Sequence, residues 1–293
     1  MTAPSPCIQV GIIIPVHGQA ARSQLHSGES PLNRNASDQT ALPVLYQFRL
    51  SMYPEKARWA LDYKRVAHVR HNLLPGPHIP FMLRRFGQKS TPALTAGEVT
   101  LTSSNAILEW LEAEHPQPPL YPQDAAQRKA VQAMIERYDE WGVHVRRALF
   151  HDLLADADYA GEAFAQGVSG WRQRAYRLAF PLTRIAMRKD MDISAASAKA
   201  SMAQVQYAMD YTAEQVADTG YLVGDQFTAA DLTAATCLHC VCAPAEYPAV
   251  YREPKSARHQ AFLDRWASHP ATGWVQRMYR EHRGSSSAVR NID

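Results

Sequence analysis

Leu45-Tyr46-Gln47-Phe48-Arg49-Leu50-Ser51-Met52-Tyr53-Pro54-Glu55-Lys56-Ala57-Arg58-Trp59-Ala60-Leu61 changes its period in the middle. Residues 44–48 form a short β-rich run that stops at Arg49-Leu50-Ser51. Over residues 54–64, Ala57, Ala60 and Leu61 recur on one helical face, with Lys56 and Lys64 off it. Ser51 therefore stands between a strand and a helix. A hydroxyl there can cap the unpaired N–H groups of the helix start. The same spot feels the positive end of the helix and suits a thiolate or other anion. Both readings of Ser51 stay open on the residues alone.

Outward from this unit, residues 66–73 alternate, with Ala67, Val69, His71 and Leu73 on one side, and read as a second strand. Pro75-Gly76-Pro77 breaks the chain, and residues 79–86 read as a short apolar helix or irregular segment. Residues 93–95 and 98–101 flank Ala96-Gly97 as a hairpin, and residues 106–114 form an amphipathic helix with Ile107, Leu108 and Leu111 inward. The order is β-α-β-α-β-β-α, an α/β domain. A Pro-rich stretch follows, and beyond Asp124 the pattern is helical throughout: 125–151, 159–188, 195–218, 229–241, 257–268 and 272–282. The chain thus divides into an aperiodic, disordered extension over 1–42, an α/β domain over 43–115, a linker over 116–124, an all-α helical-bundle domain over 125–283 and a flexible tail over 284–293.

Composition narrows the function classes. The 293 residues are 46% hydrophobic and 20% charged, which is globular rather than disordered or collagen-like. A net charge of +3 argues for neither a nucleic-acid partner nor an anionic membrane. The 4 cysteines, Cys7, Cys237, Cys240 and Cys242, do not make a secreted disulfide framework. The apolar run over 8–16 is too short to span a bilayer and has no basic residue before it, so the expected location is cytoplasmic. Cys237-Leu238-His239-Cys240-Val241-Cys242 lies within a helical pattern and lacks a second ligand pair, so it reads as buried free thiol and no metal is expected. Arg172, Arg174, Arg177, Arg184, Arg188 and Lys189 read as a solvated helix face, and Tyr46 as core. Ser51-Met52-Tyr53-Pro54 holds no thiol, which disfavours mixed-disulfide redox chemistry.

From residue 43 to 282 the chain resembles the cytosolic glutathione transferase family, with a serine-type active site. The likeness rests on the stretch around Ser51, on Gly87-Gln88-Lys89-Ser90-Thr91-Pro92-Ala93-Leu94, on Leu101-Thr102-Ser103-Ser104-Asn105-Ala106-Ile107, and on Tyr221-Leu222-Val223-Gly224-Asp225-Gln226-Phe227-Thr228-Ala229-Ala230-Asp231-Leu232. It implies a thioredoxin-like domain followed by a helical bundle, and glutathione as a consumed cosubstrate with no bound cofactor. Ser51 would donate a hydrogen bond to the glutathione thiolate. Lowering a thiol pKa by about two units from ~8.5 takes ~2.7 kcal/mol and lifts the thiolate fraction at pH 7 from roughly 3% to about 75%. Thr91, before a cis Pro92, would pair its backbone with the cysteinyl unit, with Lys89 nearby. Ser104 would hold the γ-glutamyl carboxylate at a helix start, while Ser103 departs from the family's acidic residue.

Leu50, Tyr53, Tyr138, Trp141 and Val145 are the expected walls of a pocket for a small hydrophobic electrophile, although core packing explains the spacing of Tyr138, Trp141 and Val145 equally well. Phe227, Thr228 and Asp231 have the spacing of a stapled capping box, a folding signal rather than a catalytic one. The resemblance also implies a homodimer engaged in detoxification. It leaves open a non-catalytic glutathione-binding or interaction module, or a peroxidase or dehalogenase variant.

Overall fold

The structure, a computed structural model, describes residues 42–293. The extension, with Cys7 and the apolar run over 8–16, lies outside the described residues. The chain runs β1 (Val44–Gln47), α1 (Met52–Tyr63), β2 (His68–Asn72), α2 (His78–Phe86), β3 (Ala93–Ala96), β4 (Val99–Leu101), α3 (Ser104–Glu114), α4 (Ala125–Leu153), α5 (Ala157–Phe164), α6 (Gly170–Asp190), α7 (Ala195–Gln215), α8 (Ala229–Cys242), α9 (Ala257–Asp264), α10 (Pro270–His282) and β5 (Ala288–Ile292). The first seven elements are the expected thioredoxin-like order, and the helices after them form the expected bundle.

The sheet has 5 strands in the order β4-β3-β1-β2-β5. β1 and β2 run parallel across the α1 crossover, and the β3–β4 hairpin adds antiparallel to β1 through Tyr46 opposite Ala93. α2 covers one face, where Tyr46 meets Phe86 at 4.9 Å and Phe81 at 5.7 Å between ring centroids, so Tyr46 packs as expected. α1 covers the other face and joins it to the bundle through α8, which is buried along its whole length. Its Ala, Thr and Cys side chains are small enough for neighbouring helices to close around it.

Four expectations need correction. The residues over 284–293 are not a loose tail. Arg283 pairs with Glu55 at 2.6 Å and with Asp62 at 2.8 Å, and the Ser287 N–H donates to Asp62, so the chain turns back and β5 pairs in parallel with β2. The segment over 159–188 is two helices, α5 and α6. The break falls at Gly167, with φ +98°, where an added Cβ would meet the Arg49 side chain at 2.8 Å. The alternation in β2 does not mark a single buried face: His68, Val69, Arg70 and Asn72 are all buried, and both carboxylate oxygens of Asp62 on α1 accept from Arg70 Nη2. α6 also differs in detail. Arg177 and Arg184 are tied to Asp158 and to the Leu154 carbonyl, while Trp171, Leu178, Leu182 and Ile185 face outward.

The linker is pinned rather than slack. Lys64, off the apolar face of α1, is buried and donates to Glu112 Oε2 and to the carbonyls of His115 and Pro118. Glu112 accepts in turn from the Leu120 and Tyr121 N–H groups. These bonds fix where the bundle starts relative to the sheet.

Candidate active site

Ser51 is the residue before α1, in extended backbone at φ −90° and ψ 136°, and half-buried. Its side chain makes no capping hydrogen bond. The local sequence explains this. A capping hydroxyl takes the N–H of the second or third helical residue, and here the third is Pro54, which has none, so only that of Tyr53 is available. Glu55 follows but turns to Arg58 at 2.7 Å and to Arg283. Ser51 thus has the position of a cap without its hydrogen bond, beside the positive end of a helix of 12 residues.

The Thr91–Pro92 peptide is cis. Thr91 is half-buried and lies beyond the last β1–β3 pair, Tyr46 with Ala93, which brings it to the end of β1 that leads to Ser51. Gln88 braces this loop, donating to the Thr102 carbonyl at 2.7 Å and the Ser90 carbonyl at 3.1 Å. Thr102 leads into α3. Ser103 is its N-cap and accepts from the Ala106 N–H at 3.1 Å, and Ser104 is its first residue, buried. Lys89 is exposed and forms an ion pair with Asp190, the last residue of α6, so α6 reaches the same side as the loop.

A polar triad that sequence reasoning missed joins the two helix starts. Lys56, only 1% exposed, donates to Asn105 Oδ1 at 2.6 Å and Asp139 Oδ1 at 2.7 Å, while Asn105 Nδ2 donates to Asp139 Oδ2 at 2.8 Å. Burial lowers the Lys56 pKa against the opposing pull of Asp139. Lys56 lies just over one turn past Ser51, and Asn105 follows Ser104, so the triad fixes α1, α3 and α4 to one another. Helical periodicity hid Lys56, because it placed this residue off the buried face.

Four of the five expected acceptor walls, Leu50, Tyr138, Trp141 and Val145, are buried, and Tyr53 is half-buried. Tyr138 and Val145 are fully buried, and the Tyr138 hydroxyl bonds Thr212 Oγ1 at 2.7 Å. Trp141 is buried edge-on to Tyr138 at 5.0 Å and to Tyr211 at 5.4 Å. Leu50 is also core. Tyr53 donates to the Asp139 carbonyl at 3.1 Å over Gly142, where a Cβ would lie 2.9 Å from its hydroxyl. The spacing of these residues on α4 reflects interior packing against α7 and α8.

The capping box of α8 is formed. Asp231 accepts from the Leu222 N–H at 2.8 Å, the Thr228 N–H at 2.9 Å and the Thr228 hydroxyl at 3.0 Å, and Thr228 accepts from the Ala230 N–H. Phe227 stacks on His282 at 4.2 Å and on Trp59 at 5.8 Å. Burial pushes the Cys240 and Cys242 thiols up to about 12, so they are unreactive at neutral pH. Among the described residues no group of His, Cys, Asp and Glu could hold a metal ion, and no helix is long and apolar enough to cross a membrane.

A family model described as the glutathione S-transferase N-terminal domain matches residues 45–119, and its C-terminal counterpart matches residues 175–270. Together they span more than half of the chain. A maleylpyruvate isomerase from Ralstonia sp is 36% identical over 93 residues, 31% of this chain and 44% of that protein. Glutathione S-transferase Z1 from Arabidopsis thaliana is 32% identical over 87 residues, 29% of this chain and 39% of that protein. The chain therefore matches less than half the length of these curated relatives. Among solved structures, a glutathione S-transferase from Rhodospirillum rubrum F11 shares the fold with a TM-score of 0.55 at 22% identity, over 84% of this chain and 90% of that one.

Proposed function

The chain belongs to the glutathione S-transferase family, and on that premise we propose that it is a glutathione-dependent enzyme that holds the glutathione thiol as thiolate beside Ser51 and delivers it to a hydrophobic electrophile. The observation that carries this reading is the Ser51 hydroxyl at the start of α1, which makes no capping bond and has no hydrogen-bond partner among the described residues. A charge-assisted hydrogen bond to sulfur and the helix end together supply roughly the 2–3 kcal/mol that a two-unit pKa drop requires. The Thr91 backbone would pair with the cysteinyl unit, and Ser104 at the start of α3 would take the γ-glutamyl carboxylate. Ser103 caps the helix with one lone pair and keeps its O–H and a second lone pair for a ligand. Lys89 would supply a positive charge by exchanging its exposed partner Asp190 for the tripeptide. In conjugation the thiol proton leaves to solvent, the sulfur–carbon bond forms, and the electrophile's leaving group departs. A cytoplasmic homodimer acting in detoxification belongs to the same proposal.

A second reading has its own support in the 36% identity to a maleylpyruvate isomerase. The same thiolate could add to an electron-poor double bond. The electron pair moves onto the conjugated carbonyl, the former double bond rotates, and expulsion of the sulfur restores the alkene. Glutathione is consumed in conjugation and regenerated in isomerisation. One experiment separates these readings: purified protein is given glutathione with alkyl or aryl halides, or with a cis-enedioate ketone, and free thiol is followed alongside product. Thiol loss in step with product identifies conjugation, and product at constant thiol identifies isomerisation. No binding at millimolar glutathione overturns both.

A further inference from the structure

On the α1 face of the sheet, a largely enclosed cavity of about 80 Å³ is lined by Arg49, Arg58 and Arg70 with Gln47, Asn291 and the loop at Pro248. Arg58 and Arg70 are buried, at 2% and 8% exposure, and Arg49 is half-buried. Arg283 completes the positive side of the network, while Glu55 and Asp62 are the carboxylates within it. Four guanidinium groups therefore share two carboxylates: Arg58, Arg70 and Arg283 are ion-paired, Arg49 has no carboxylate partner among the described residues, and the network keeps an excess of positive charge. A buried charge in that state is costly unless an anion joins it.

Hydrogen-bond accounting points to the same place. Arg58 is nearly spent, on Glu55, on Gln47 Oε1 at 2.8 Å and on the Arg49 carbonyl at 2.9 Å. Arg70 gives Nη2 to Asp62 and Nε to His68 Nε2 at 3.1 Å, and its Nη1 has no partner among the described residues. Arg49 gives Nη2 to the Pro248 carbonyl at 3.0 Å, and its Nε and Nη1 likewise have none. Two guanidinium forks with free N–H groups thus line a space larger than the roughly 10–15 Å³ that a single water needs, with room for one tetrahedral oxyanion.

We propose that this cavity binds one small dianionic oxyanion of the phosphate or sulfate class. The bound ion would link the sheet, β5 through Asn291 and the Pro248 loop. This site is separate from the Ser51 site, and the proposal does not depend on how the glutathione reading fares.

The test is titration calorimetry of the full-length protein with inorganic phosphate, repeated with sulfate and with chloride at matched ionic strength. Thermal midpoints are read at low-millimolar anion, below the range of general salting effects. The proposal expects saturable binding of one phosphate or sulfate per chain and a midpoint that climbs with occupancy, with no such response to chloride. Arg49→Gln should weaken the oxyanion at least tenfold. Asn291→Asp places a carboxylate in the cavity wall, so it should raise the midpoint without phosphate and abolish the phosphate response. Phosphate acting no differently from chloride, equal affinity in Arg49→Gln, or a lower midpoint in Asn291→Asp with the phosphate response intact would each overturn the proposal.

Discussion

α1 and α8 pack against each other, and each begins with a hydroxyl residue and carries a buried carboxylate in its first turns: Ser51 with Glu55, and Thr228 with Asp231. In α8 the pair closes on itself. Thr228 caps the helix and donates to Asp231, so both side chains are used in folding. In α1 the pair never meets. Pro54 occupies the capping-box position, Glu55 faces guanidinium groups, and Ser51 keeps its hydroxyl. The same elements of local grammar yield a structural device in one helix and an open hydroxyl in the other, and the residue at the third helical position separates them.

The carboxylates give the largest expected effects. Arg283→Met leaves Glu55 and Asp62 each short of a buried partner and should cost about 4 kcal/mol in urea denaturation. Asp231→Ala strands the buried N–H groups of Leu222 and Thr228 and should cost about 3 kcal/mol. The two acids also titrate in opposite senses. Burial alone would raise Glu55, but Arg283 and Arg58 outweigh it and hold the carboxyl at about 2. Its folded pKa lies below the ordinary 4.5, so its contribution is complete above 4.5 and is lost as pH falls toward 2, a change of about 3 kcal/mol. Asp231, facing N–H and hydroxyl dipoles instead of full charges, is pushed up to about 6 by burial despite its hydrogen bonds. Its folded pKa lies above the ordinary 3.8, so its contribution is present below 3.8 and is lost as pH rises through 6. Stability against pH should therefore lose its acid limb in Arg283→Met and keep it in Asp231→Ala. Identical profiles for the two variants would remove the distinction between their surroundings.

The hydroxyls come next. Ser51→Ala should lower thiolate formation by bound glutathione roughly 10–100-fold, read from the pH dependence of thiolate absorbance, the loss expected for a charge-assisted hydrogen bond of about 1.5–3 kcal/mol. Stability should move by less than about 0.5 kcal/mol, because no capping bond is lost. Thr228→Ala should do the reverse, costing about 1 kcal/mol of stability and leaving the thiolate alone. A destabilised Ser51→Ala with unchanged thiolate would make Ser51 an ordinary cap.

What the sequence made legible follows the same division. The β1–α1 unit and the α8 capping box are written in neighbouring residues, whose spacing states the geometry directly, while the Thr91-Pro92 turn was legible only through the family resemblance. The rest depends on partners far along the chain. Glu55 and Arg283 are 228 positions apart, and Lys56 and Asp139 are 83 apart. Periodicity assigns such charges to solvent, and for this reason Lys56 and Lys64 read as lying off the buried face and residues 284–293 as a flexible tail. Tyr138, Trp141 and Val145 show the opposite limit. Helical spacing identified one face correctly, but it does not say whether that face meets a cleft or another helix, and here it meets α7 and α8.

The smallest expected effect tests the cause of the difference itself. If Pro54 leaves the Ser51 hydroxyl open by withholding an N–H, then Pro54→Ala restores the donor at the third helical position and should draw Ser51 Oγ over the helix end. The new cap contributes about 1 kcal/mol. The lost proline costs about as much through the freer unfolded chain, so the net stability change should be near zero. The hydroxyl would then be shared between the helix and the bound sulfur, and thiolate formation should fall only a few-fold, well short of Ser51→Ala. In the double variant the Pro54 effect should disappear, since without the hydroxyl the restored N–H has nothing to capture. A Pro54→Ala protein with full thiolate formation would show that Ser51 is held open by something other than the proline.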